Sequence, residues 1–234
     1  MAEETVPHSD NRGSATKVVP TDRAGRPELT RELAGIVVPC VGLVIALVLP
    51  QVSIWHSMGG GVTFHWAITG ILLAYILLVE RRSVSSIGLR LPTWKSFALG
   101  IPVAVILIVG AVVTLYVLYP ALHRHLNQAA LDKVLHTPWW FRFLLVTRAA
   151  VTEEVCYRGY AIERVQELTG RKWIAFVVSV VAFTYVHLAY GWVHLIFVAF
   201  GGVVLGLYYI WRRDLASNMI AHFIADGAEL LTPR

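Results

Sequence analysis

The sequence predicts an all-α fold, a polytopic transmembrane bundle of about seven helices in a single domain. Two observations support this prediction. Of the 234 residues, 56% are hydrophobic and only 15% are charged, a balance too apolar for an ordinary soluble domain. Apolar runs of transmembrane length, for which about 20 residues are needed, also follow one another along the chain, at 34–54, 62–79, 96–119, 138–157, 172–190, 193–211 and 215–231.

The amino-terminal segment differs from the rest. Residues 1–30 are polar and show no apolar periodicity, so we expect a disordered cytosolic tail in front of a transmembrane domain over residues 31–234. The first long apolar run begins too far from Met1 to fit a signal-peptide pattern. The two cysteines, Cys40 and Cys156, both lie in apolar stretches, which favours small buried residues over a disulfide.

Two connecting segments have patterns of their own. Residues 121–136 mix leucines with histidines and charged residues, which predicts an amphipathic segment at the membrane interface. After the fourth run, helical character continues to Gly170, where glycine favours the end of a helix that projects beyond the membrane.

The distribution of lysine and arginine predicts the orientation. The formal net charge is +5, but the basic residues lie in short clusters between apolar runs, a pattern that reports membrane topology and not nucleic-acid binding. If the amino terminus is cytosolic, the clusters at 12–31, 81–95, 158–172 and 212–213 fall on one side. The positive-inside rule therefore predicts an integral protein of the cell membrane with a cytosolic amino terminus.

Two adjacent carboxylates interrupt the fourth apolar run. A charged side chain at the bilayer centre costs roughly 2.5–3.5 kcal/mol, so Glu153 and Glu154 are candidates for a functional site. Glu154 and Arg158 are four residues apart and share a helix face on which they can pair. Such a pair suits a structural role as well as a functional one. Glu153 is rotated by about 100° and free to face something else.

Further polar residues follow in the last three runs. His187 lies four residues after Phe183, and Asn218, His222 and Asp226 form one stripe with a spacing of four. A polar stripe must face protein or water.

Each of these residues also has a purely structural interpretation. Phe183 suits packing, a single intramembrane histidine such as His187, His65 or His194 is often structural, and the stripe suits a hydrogen-bonded helix seam. Together, however, Glu153, His187, His222 and Asp226 would cost on the order of 10 kcal/mol if they were left uncompensated in the bilayer. This cost indicates that they meet in one cavity.

The chemistry open to such a cavity is hydrolysis. A carboxylate beside an imidazole can take a proton from water, and a second imidazole can stabilise an oxyanion. The set Glu153, His187, His222 and Asp226 is also a credible ligand set for a divalent metal such as zinc. The residues alone leave both alternatives open, with a metal cofactor or with none.

The three motifs resemble those of a known family. Glu153-Glu154-x-x-x-Arg158, Phe183-x-x-x-His187 and His222-x-x-x-Asp226 are similar, in order, to the signatures of the CAAX protease and bacteriocin-processing (Abi) family of intramembrane proteases, which includes the type II CAAX prenyl endopeptidases. The resemblance implies an endopeptidase with its active site in a cavity within the bilayer. It also implies that Glu153 activates water with His187, that His222 and Asp226 line the oxyanion side or hold a metal, and that Glu154, Arg158, Phe183 and Asn218 support them.

One departure from the family pattern bears on specificity. The third motif often ends in Asn in the prenyl-protein branch, whereas Asp226 stands here, which favours a metal or charge role at this position. The expected substrate is a membrane-associated protein or peptide, either prenylated or bacteriocin-like, in the lipid bilayer. The alternatives are a catalytically silent membrane scaffold or chaperone and, less well supported because no inverted repeat is visible, a transporter.

Overall fold

The computed structural model describes residues 28–51, 58–126 and 128–231. Most of these residues are helical and none of them forms a β-strand, which confirms the predicted all-α class. By its contacts the chain divides into two units, residues 1–36 and residues 37–234. The first unit is described only from residue 28, where the first helix begins, and the second contains all the other elements. The predicted tail, residues 1–30, lies outside the described residues except for its last three.

Ten α-helices make up the described part of the chain. They are α1 Glu28–Leu47, α2 Met58–Ala74, α3 Trp94–Val113, α4 Tyr119–Ala121, α5 Gln128–Leu135, α6 Trp139–Glu153, α7 Ile162–Thr169, α8 Lys172–Tyr185, α9 Trp192–Arg212 and α10 Leu215–Leu230. Three π-helical segments, Tyr75–Val79, Thr114–Leu118 and Glu154–Ala161, continue α2, α3 and α6 without a break.

Each predicted apolar run coincides with one of these helices. Three segments are long and apolar enough to cross a membrane, namely Met58–Val79, Trp94–Ala121 and Trp192–Arg212. Two shorter apolar helices cover Leu33–Leu47 and Lys172–Tyr185. The helices α6 and α10 have only 15 and 16 residues, and they contain Glu153, His222 and Asp226. Glu154 begins the π-helical segment after α6, and His187 follows the end of α8.

Side-chain caps connect the beginnings of α3 and α10. Thr93 and Ser96 form a reciprocal capping box at the start of α3. Asp214 caps α10 by accepting from the Ser217 N–H, and its carboxylate also accepts a 2.8 Å hydrogen bond from the Ser96 hydroxyl. The two helices can approach closely because position 100 is glycine, where a Cβ would lie 2.9 Å from the Ser217 carbonyl oxygen.

The π-helical segment after α6 lies at the centre of the fold. All eight of its residues are buried, and its apolar side chains pack with residues of α2, α8 and α10. A π-helix inside an α-helix is rare and is frequently found at functional sites. This segment begins directly after Glu153, so the packing of the core sets the position of both glutamates.

A buried ion pair holds the far end of this segment. Arg164 on α7 is fully buried, and its Nη2 lies 2.6 Å from Oε2 of Glu80 at the end of α2. Burial alone lowers the pKa of Arg164, but the hydrogen bonds and charge of Glu80 raise it above the ordinary value. The Tyr160 hydroxyl donates to the same carboxylate. Beyond this anchor α7 ends at Gly170, where φ is +67°, as the sequence predicted.

Candidate active site

Glu154 is the most enclosed carboxylate of the site. Its side chain is fully buried, and both of its oxygens are occupied. Oε1 accepts from Arg158 Nη1 at 3.0 Å and from His222 Nδ1 at 2.9 Å, while Oε2 accepts from Asn218 Nδ2 at 3.2 Å. Glu154 therefore connects the π-helical segment after α6 to α10 and orients His222. Its oxygens keep little capacity for a water or a substrate.

Arg158 joins the first motif to the second. Its buried guanidinium lies 4.0 Å from the centroid of the Phe183 ring, a cation–π contact. Phe183 in turn packs against the His187 ring, with a centroid separation of 4.9 Å. Phe183 thus contacts both the Glu154–Arg158 pair and the histidine of its own motif.

Glu153 points away from this buried network. Its Oε1 accepts from Arg148 Nη1 at 3.3 Å, and its Oε2 lies 3.9 Å from His222 Nε2. The side chain is 15% exposed, towards a cavity. A carboxylate can accept about four hydrogen bonds, so Glu153 keeps capacity for a water molecule.

His187 has a defined tautomer. It follows the end of α8 and donates from Nδ1 to the Phe183 carbonyl oxygen at 2.8 Å. Because a carbonyl can only accept, Nδ1 carries the proton, and in the neutral ring Nε2 is left as an acceptor. Its ring lines the same cavity as Glu153.

His222 lies among carboxylates. Its Nδ1 donates to Glu154, and its Nε2 lies 3.5 Å from Oδ2 of Asp226 as well as 3.9 Å from Glu153. An imidazolium, with N–H donors on both ring nitrogens, satisfies this arrangement. Asn218, one turn earlier, also donates to the Leu205 carbonyl oxygen at 2.9 Å and so ties α10 to α9.

All four predicted catalytic residues line one cavity. It has a volume of about 450 Å³ and is bordered by Glu153, His187, His222 and Asp226. A second cavity of about 650 Å³, on the side of α2, shares Glu153 and His187 with the first. Of the supporting residues, Phe183 lies in the cavity wall, while Glu154, Arg158 and Asn218 lie behind it.

Sequence reasoning missed one prominent residue and undervalued another. Arg148 lines both cavities and contacts Glu153, and the only signal for it was a charge within an apolar run, five residues before Glu153. His65, expected to be structural, also lines both cavities, with Nδ1 bonded to the Gly61 carbonyl at 2.7 Å. Its approach to Glu153 depends on how α2 packs against α6, which no local pattern reveals.

The predicted metal ligands do not form a ready-made metal site. Within the described ranges, no group of three His, Cys, Asp or Glu side chains is placed to hold a metal ion. Nδ1 of His222 is occupied by Glu154, and Oε1 of Glu153 faces Arg148. A divalent metal held by Glu153, His187, His222 and Asp226 stays a prediction.

A helical bundle with a cavity lined by Glu153, Asp226 and the two oriented histidines His187 and His222 has the side chains that a membrane-embedded hydrolase requires. The family model described as Type II CAAX prenyl endopeptidase Rce1-like matches residues 135–228. This stretch contains all the predicted site residues and confirms the resemblance seen in the motifs. Over these residues the chain is similar to the CAAX-type proteases, and three described segments, two of them outside this stretch, are long and apolar enough to cross a membrane. No curated protein and no solved structure matches the chain.

Proposed function

We propose that the protein is an intramembrane endopeptidase in which Glu153, together with His187, activates water to hydrolyse a peptide bond of a membrane-associated protein or peptide. The observation that supports this most is the difference between the two adjacent glutamates. Glu154 is saturated by Arg158, His222 and Asn218, whereas Glu153 faces the cavity with free acceptor capacity.

In the first step, a water molecule lies between the Glu153 carboxylate and His187 Nε2. Glu153 takes one proton, the water oxygen forms a bond to the carbonyl carbon, and the carbonyl π pair moves to the oxygen. The product is a tetrahedral oxyanion. In the second step the pair returns, the C–N bond breaks, and the proton held by Glu153 passes to the leaving nitrogen. Atoms and charge balance with water as the only co-substrate.

His222 has a different task from His187 in this proposal. Glu154 fixes its ring from Nδ1, so that Nε2 points into the cavity beside Glu153 and Asp226. As an imidazolium, it offers an N–H to negative charge that develops beside Glu153. Glu154 is then a positioning residue, since it acts through His222 and does not touch the reacting atoms.

The similarity to membrane proteases and the sequence support a reaction that takes place in the membrane. A site within a helical membrane fold suits a substrate that is itself held in the bilayer, either by a prenyl group or by its own apolar sequence, as a bacteriocin-like peptide would be. The lysine and arginine clusters support a cytosolic amino terminus in the cell membrane.

The experiment compares newly formed peptide termini in membranes of cells that produce the wild type, Glu153→Gln or Glu167→Gln at matched abundance. Glu167 is the control because its side chain is 38% exposed on α7, outside both cavities. We expect one set of termini that appears with the wild type and with Glu167→Gln and is absent with Glu153→Gln. Identical termini in all three membranes, with the variants folded, would favour the scaffold alternative.

A further inference from the structure

Arg148 is a cation in the cavity that the three motifs do not account for. Among the described residues that line the two cavities, it is the only lysine or arginine. Its contact with Glu153 is long, 3.3 Å from Nη1 to Oε1, and its buried Nε has no hydrogen-bond partner. Its side chain is 20% exposed.

A partly buried guanidinium with few hydrogen-bond partners is costly unless its donors are used. Arg presents five N–H donors in a rigid fork, and one long contact with a carboxylate leaves most of them available. Donors that are free in the resting site and adjacent to the base suit an anion that forms during the reaction. In the proposed hydrolysis, that anion is the oxyanion of the tetrahedral intermediate.

Three other cavity side chains that could donate a hydrogen bond to the oxyanion, namely His187, His65 and His222, already have hydrogen-bond or ionic partners. His187 and His65 use Nδ1 on backbone carbonyls. The Nε2 of His222, which also faces the developing charge, is shared with the carboxylates of Asp226 and Glu153. Asp226, at the position where an amide donor stands in part of the resembled family, can only accept hydrogen bonds when ionised. In the described cavity walls, Arg148 is thus the one permanently charged donor.

We infer that Arg148 is a further catalytic residue, which donates N–H groups to the oxyanion that forms on the scissile carbonyl. The inference rests on the proposed function. When water attacks, Glu153 gains a proton and loses its charge, while the carbonyl oxygen gains one. The negative charge therefore moves from the Glu153 carboxylate to the carbonyl oxygen, and both are partners of Arg148 in this proposal. The guanidinium needs little rearrangement when the charge moves. Such a preorganised donor stabilises the transition state.

The test uses the full-length protein in proteoliposomes and a peptide that spans the cleavage site found from the termini. The variants are Arg148→Gln and Arg148→Lys. The control is Arg142→Gln, which also removes a charge from α6 but lies outside both cavities, where Arg142 donates to the Leu230 carbonyl oxygen. Losing an oxyanion donor costs about 10²–10³ in kcat. We expect this loss in Arg148→Gln with KM changed by no more than about threefold, a smaller loss in Arg148→Lys, and near wild-type kinetics for the control.

A second measurement separates this role from mere positioning of Glu153. In one peptide, the scissile amide is replaced by a phosphinate, an anionic tetrahedral group that imitates the oxyanion. Arg148→Gln should weaken binding of this peptide by about the factor by which it lowers kcat/KM. Binding of the uncleaved amide peptide, measured in a Glu153→Gln background, should stay within about threefold.

Unchanged affinity for the phosphinate, or an equal loss for both peptides, would show that Arg148 does not hold the oxyanion. Wild-type kinetics in folded Arg148→Gln would overturn the inference while the proposed function stands. If the wild type itself releases no new termini, the proposed function and this inference fall together.

Discussion

Replacing Glu154 by glutamine should chiefly lower stability, whereas replacing Glu153 by glutamine should abolish activity at little cost in stability. In Glu154→Gln, the buried Arg158 loses its counter-ion, and one amide oxygen must replace two carboxylate oxygens. Breaking a buried pair by removing one partner costs about 3–5 kcal/mol, because a charge is left uncompensated. In Glu153→Gln, the contacts that change are a long one with Arg148 and a 3.9 Å approach to His222 Nε2, both at the edge of a cavity, so we expect about 1 kcal/mol or less.

The measurement is unfolding in mixed micelles, with the free energy of unfolding compared for the wild type and both variants. A third protein, Glu154→Gln with Arg158→Met, removes the orphaned cation. It should recover at least about 2 kcal/mol relative to the single variant, since a buried pair can often be replaced by apolar residues without loss. Cleavage should be abolished in Glu153→Gln even though that variant stays folded.

Equal destabilisation by the two glutamine substitutions would refute this reasoning, because it would mean that burial does not distinguish the two carboxylates. Failure of the double variant to recover stability would show that the cost lies in the hydrogen bonds of His222 and Asn218 and not in the charge of Arg158. In that case the account of Glu154 as the partner of a buried cation would be wrong.

Three further predictions follow from the site and the packing. His187→Phe should lower the cleavage rate by about 10²–10⁴, the range for general acid–base groups, while the melting temperature in detergent changes little, and a rate near that of the wild type would contradict its role. Gly100→Ala should destabilise by about 1–3 kcal/mol, because its Cβ would lie 2.9 Å from the Ser217 carbonyl. At Gly70 no atom lies within 4 Å of such a Cβ, so the same change should be neutral or stabilising by up to about 1 kcal/mol; micelle unfolding measures both. Incubation with a zinc chelator should leave cleavage unchanged if Glu153 activates water by itself, whereas a loss that added zinc reverses would establish the metal alternative.

The sequence was sufficient for those features that depend on local pattern. Hydropathy marks the seven helices that coincide with apolar runs, because a membrane span must be apolar over its whole length. The end of α7 at Gly170 follows from the conformational freedom of glycine. The pairing of Glu154 with Arg158 follows from their spacing of four. The cost of a charge in lipid also predicts that the polar residues of several helices gather.

The tertiary structure alone decided how those residues divide the work. The sequence could not show which of the two glutamates accepts a hydrogen bond from His222 Nδ1. The structure shows that it is Glu154, and this contact depends on the rotation of α10 against α6. The π-helical segment from Glu154 to Ala161 changes the helical period from the 3.6 residues per turn on which sequence reasoning relies. Arg148 and His65 come to the cavity for the same reason: their positions are set by how whole helices pack, and a pattern within one helix does not contain that information.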